Sequence, residues 1–149
     1  MSNGDEAIEF TEDEVRRQAA NNAPVWPLVF LAYARDRGQA AEEAARDFGR
    51  LVAPTWDEER GTGALSALRW AALNAVVGGA KLRRLAGDAA RAEAVLAGWP
   101  NDEDLAFFGL AQAEADAFHA YLHPVAERLG LRFAWRRTGD EVILSLERE

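Results

Sequence analysis

The sequence predicts an α+β fold, a helical N-terminal half packed on a four-stranded antiparallel sheet. Three observations predict it. A unit of long apolar-striped helix, glycine-containing break and hairpin turned by a Gly-Asp pair occurs twice. The first copy runs from Thr62 to Trp99 with Gly87-Asp88 at its tip, and the second from about Ala111 to Leu146 with Gly139-Asp140. The last hairpin alternates cleanly, Leu131, Phe133 and Trp135 on one strand against Val142, Leu144 and Leu146 on the other. Ahead of both copies, the apolar spacing is helical throughout.

The elements follow in order. Residues 1–9 read as a loose tail. Thr11 caps a first helix, Glu14 completes a capping box, and Phe10 and Val15 are spaced as a hydrophobic staple. Asn21-Asn22 and Pro24 end it. Pro24 and Pro27 open a second helix, where a missing N–H costs nothing. Its Val25, Trp26, Leu28, Val29, Phe30, Leu31 and Tyr33 are apolar all round, which predicts a buried helix. A third helix, Ala40 to Val52, is amphipathic and carries a Glu42/Arg46 pair at i,i+4. A polar loop from Thr55 to Gly63 holds Trp56.

The fourth helix starts at a Thr62 cap and stops at Gly78-Gly79. Strands are expected near Lys81–Ala86 and Arg91–Trp99. The inward residues of the second strand are small alanines; facing the core, they leave it thin, with room for a large side chain or a ligand. A short turn of helix after Pro100 carries Leu105, Phe107, Phe108 and Leu110. A long helix then runs to Leu129, with a kink or break expected at Pro124. A two-residue Gly139-Asp140 turn sets Trp135 opposite Leu144 and Phe133 opposite Leu146. The chain therefore reads as one domain, 1–149, with a helical part over 10–61 and a duplicated helix-hairpin part over 62–149.

Composition narrows the function classes. At 149 residues with 49% apolar and 28% charged residues, the chain suits a globular protein with a real core. A net charge of −8 argues against a nucleic-acid partner, which needs a basic face. No cysteine is present, so disulfides and thiolate sites are excluded. The acidic N-terminus lacks a signal-peptide pattern, and no apolar run reaches membrane-span length. A cytoplasmic protein with no membrane partner is expected. Sixteen arginines against one lysine read as the composition of a GC-rich bacterial genome.

Candidate site residues fall into three groups. Arg69 lies inside the arc of Leu65, Leu68, Ala72, Leu73 and Val76, where a guanidinium binds a ligand carboxylate or phosphate, forms a structural salt bridge, or snorkels to the helix edge. Trp26, Trp70, Trp99 and Trp135, with Tyr33, are rich enough in aromatic surface to line a pocket, although an ordinary aromatic core accounts for several of them. Trp56 reads as a lid or a partner anchor. His119 and His123, at i,i+4, have a metal-chelating spacing. Their stripe with Asp116 and Glu127 lies opposite Phe118, Leu122, Val125 and Leu129, so it is expected to face solvent. No metal or other cofactor is expected. Gly61-Thr62-Gly63 reads as a helix cap, and Glu58-Glu59 and Asp102-Glu103-Asp104 as capping and dipole carboxylates.

The element order of the C-terminal two-thirds resembles small ligand-binding domains of the vinyl-reductase-like, hydrocarbon-binding group, without the cysteines often seen there. Three functions remain. The first is a non-catalytic binding or sensing domain for an apolar-bodied anionic small molecule, with Arg69 at the cavity wall. The second is a homodimeric assembly module, using helices because its edge strands carry Arg and Glu. The third, ranked last, is a small-molecule enzyme using His119 or His123.

Overall fold

The computed structural model describes residues 8–56 and 63–149. The expected Thr62 cap, the Glu58-Glu59 pair and most of the N-terminal tail lie outside the described residues. Helices α1 (Glu12–Asn22), α2 (Trp26–Asp36) and α3 (Ala41–Val52) come first, and a 3-10 turn (Ala53–Thr55) follows. The first helix-hairpin unit is α4 (Ala64–Val77), β1 (Lys81–Gly87) and β2 (Arg91–Ala97). After α5 (Asp102–Phe108), the second unit is α6 (Gln112–Asp116), a 3-10 segment (Ala117–Tyr121), α7 (Leu122–Arg128), β3 (Leu131–Thr138) and β4 (Glu141–Arg148). The sequence-predicted α+β architecture is what the chain adopts.

The sheet is antiparallel throughout, in the order β1-β2-β4-β3. The return strands of the two hairpins meet at its centre, with Ala94 opposite Leu144. The second hairpin has the expected register, Trp135 opposite Leu144 and Phe133 opposite Leu146. Its turn is Gly139-Asp140, with Gly139 at φ 62°, a conformation glycine adopts without steric cost. The first hairpin departs from expectation. Gly87 still pairs with Ala92, so the turn is Asp88 to Arg91, closed by the Asp88 amide donating to the Arg91 carbonyl at 2.8 Å, and the Asp88 carboxylate accepts from the Ala90 and Arg91 amides at 2.8 and 3.0 Å. The same loop caps α4: the Ala64 and Leu65 amides donate to the carbonyls of Ala89 and Asp88. A strand irregularity lies between Leu82 and Arg84.

Helices cover one sheet face. The main core joins the inward residues of β2, β3 and β4 to an alanine-rich face of α4 made by Ala64, Ala67, Leu68, Ala71 and Ala72. A smaller cluster joins Leu28 and Leu31 of α2 to Leu105, Leu110 and Ala115. At Gly49 α3 presses against the 3-10 segment so closely that an added Cβ would sit 2.1 Å from the Tyr121 carbonyl oxygen.

Three local expectations are corrected. Helix α2 is not buried all round: Leu28, Leu31 and Ala34 face the core, while Trp26, Val29 and Tyr33 are exposed. Helix α1 has its Thr11 cap, accepting from the Glu14 amide at 3.1 Å, but buries no residue, and Phe10 and Val15 both stay exposed. The space beside Ala92 and Ala94 is taken up by core side chains, one of the two outcomes expected there. The long helix is interrupted by its 3-10 segment before Pro124.

Candidate functional site

A cavity of about 360 Å³ lies between the helices and the sheet, inside the range of roughly 300–1,000 Å³ typical of small-molecule pockets. Its floor is Leu96 and Ala97 of β2 with Val142 and Leu144 of β4. Phe48 and Val52 of α3, followed by Trp56, form one wall. Ala71, Asn74 and Ala75 of α4 form another. The third comes from the second unit, with Phe118, His119, Tyr121 and Leu122. Trp99 and Arg137 complete the lining at the end near His119.

The polar groups sit on the second unit. Asp116 is only 3% exposed. Its carboxylate accepts from Arg137 Nε at 2.5 Å, Arg137 Nη2 at 2.8 Å and Gln112 Nε2 at 2.9 Å. Arg137 Nη1 donates to the Gly139 carbonyl at 3.1 Å. A bidentate fork of this kind is among the stronger ion-pair geometries, and the Asp116 hydrogen bonds raise the Arg137 pKa above its usual value.

His119 adjoins this pair and is 8% exposed. Its ring lies 6.0 Å from Trp99 and 6.3 Å from Trp135. Burial pushes its pKa down to about 4, the Asp116 charge opposing and the Arg137 charge adding to the shift. The imidazole is therefore neutral near pH 7. Burial pushes the Tyr121 hydroxyl up to about 12, with a hydrogen bond to Asn74 acting the other way.

The sequence-predicted site residues divide. Trp99 lines the cavity, and its indole N–H donates to the Pro24 carbonyl at 3.0 Å. Trp135 stands behind His119, outside the lining. Trp70 is half-buried against the main core. Trp26 is 63% exposed, and Tyr33 is 56% exposed with the Arg37 guanidinium 3.4 Å over its ring. Arg69 is exposed and does not line the cavity. The physical reason is that α4 turns its small residues to the sheet, leaving Leu73, Val76 and Val77 outward with Arg69. Trp56 is 8% exposed and packed in the core, neither a free lid nor an exposed anchor.

The histidine stripe does not face solvent as expected. His119 turns to the cavity, and His123 sits edge-on to Phe133 at 5.0 Å. Burial lowers the His123 pKa, and Arg46 adds to the shift. Among the described residues no group of three or more His, Asp or Glu side chains is placed to hold a metal. No helix among them is long and apolar enough to cross a membrane.

The sequence reading lacks Arg137 and sets His119, one of its candidates, on the wrong face, yet both positions carry a signal. Arg137 continues the inward alternation of Leu131, Phe133 and Trp135. His119 shares helical spacing with Ala115, Leu122 and Ala126, all buried. Comparison of the chain with protein-family models, curated proteins and solved structures finds no match.

Proposed function

We propose that the protein binds a small, apolar-bodied molecule in the cavity between its helices and sheet, without transforming it. The cavity itself carries the reading: about 360 Å³, lined mainly by aliphatic and aromatic side chains, with His119 and Arg137 at one end. An apolar space of this size gains from exchanging water for an apolar guest. The expected anionic head rested on Arg69, which is exposed, and Arg137 is already engaged by Asp116. The apolar body therefore has more support than the charge. Catalysis has less, because the carboxylate beside His119 is committed to Arg137 and Gln112.

Calorimetric titration with naphthalene tests this. Saturable one-to-one binding is expected for the wild type. Ala75→Phe, which projects a ring into the cavity from α4, is expected to abolish it. Equal binding by both proteins would contradict the reading.

A second reading, self-assembly, is favoured by the exposed apolar stripe Trp26, Val29 and Tyr33 on α2. A second copy of the chain is the proposed partner. Native mass spectrometry is expected to give a dimer that Val29→Glu converts to monomer, and a wild-type monomer at all concentrations would overturn this reading.

A further inference from the structure

We infer that His119 selects the ligand by its head group, and that the cavity takes an apolar body ending in an uncharged hydrogen-bonding group such as a hydroxyl or carbonyl. This rests on the binding proposed above for the same cavity, and it replaces the anionic head with a neutral one.

The two helix-hairpin units supply the first support. Gly79 and Gly130 both have positive φ and stand just before the first strand of their hairpins. Aligning them sets Leu68 against His119 and Leu65 against Asp116. In the strands, Gly87 and Arg137 each pair with the second residue of the return strand, Ala92 and Val142. The polar cluster Asp116, His119 and Arg137 thus matches Leu65, Leu68 and Gly87 in the first unit. Leu68 is fully buried in the main core, so the frame accepts an aliphatic residue where the second unit has an imidazole.

The second support is the state of that imidazole. His119 is more than nine-tenths buried and lines the cavity. Among the described residues no fully buried side-chain nitrogen or oxygen lacks a partner, so the ring nitrogens of His119, which no hydrogen bond engages, open to the cavity it lines. A neutral imidazole has one N–H donor and one bare nitrogen acceptor. Leaving such groups unmatched in an apolar space is costly, and a ligand hydroxyl or carbonyl relieves that cost.

Charge balance gives the third support. Asp116 is neutralised by Arg137 and further held by Gln112, so the pair adds no net charge to this end of the cavity. A carboxylate or ammonium head would lose its hydration and meet no uncommitted counter-charge among the described lining residues.

The test uses one aromatic body with four endings: naphthalene, naphthol, naphthoate and naphthylmethylammonium, titrated calorimetrically near neutral pH. Naphthol is expected to bind about 3–10-fold tighter than naphthalene. It is also expected to bind roughly tenfold or more tighter than either ion. His119→Leu, which installs the residue found at the matching position of the first unit, should erase the naphthol advantage, bringing the naphthol and naphthalene affinities of that variant within about twofold of each other. His119→Gln retains a donor and an acceptor and should keep part of that advantage. Should His119→Leu fail to fold, the wild-type ranking and His119→Gln decide the matter. Failure of naphthalene itself to bind would overturn the cavity reading. Naphthalene binding with naphthoate equal to or tighter than naphthol would overturn the head-group inference alone.

Discussion

At the residue scale, Asp116, Arg137 and His119 set most of what this protein should show in solution. Asp116 is buried while Arg137 is partly exposed, so the two halves of the pair are not equivalent. Arg137→Met strands a buried carboxylate with Gln112 as its remaining hydrogen-bond donor. It is expected to cost about 3 kcal/mol in urea unfolding. Asp116→Asn keeps the packing and some hydrogen bonding and should cost less, about 1 kcal/mol. Equal losses would show that burial does not decide the asymmetry.

His119 gives a pH signature. Its folded-state pKa is depressed to about 4 by burial beside Asp116 and Arg137, against roughly 6.5 when unfolded. As pH falls below the unfolded value, the unfolded chain takes up a proton that the folded chain refuses. The stability is fully present above about pH 6.5 and is lost as pH falls towards 4, in total roughly 3 kcal/mol. Unfolding of His119→Leu across this window should lack that component. A parallel loss in both proteins would contradict the assignment.

At the scale of elements, the contact between α3 and the 3-10 segment is tightest at Gly49. Gly49→Ala drives a Cβ into the Tyr121 carbonyl, a backbone group that cannot rotate away. A loss of about 1–3 kcal/mol is expected from thermal or urea unfolding. A neutral substitution would mean that the two segments separate easily. The same elements show what the sequence made legible. The second hairpin was readable to the residue because its alternation is large against polar, and a two-residue turn leaves one register. The buried face of α4 was not, because Leu65, Leu73 and Val76 outweighed the alanines that meet the sheet. That error turned the helix by about a quarter turn and brought Arg69 inward. Helix α2 misled for a related reason: apolar residues all round did not force burial, since α1 lends it no cover. The inward position of His119 is hard to read because the larger Phe118, Leu122, Val125 and Leu129 mask the stripe it shares with Ala115 and Ala126.

For the whole molecule, the duplicated unit accounts for the sheet. Two hairpins join through equivalent return strands, and the helices of both units fall on one face. The N-terminal helices then close one side of the space between the units, with Phe48, Val52 and Trp56 meeting the helices and strands of the duplicated part. A pocket formed in this way draws its lining from residues scattered between Pro27 and Leu144. No short motif marks it, and only the inward positions of paired elements give it away. The most direct test is an amide NMR titration of the whole protein with naphthalene. The largest shifts are expected at Leu96, Ala97, His119, Val142 and Leu144, with the exposed face of α2 unchanged. Shifts centred on Trp26, Val29 and Tyr33, or no saturable shifts at all, would contradict a binding cavity at the heart of this fold.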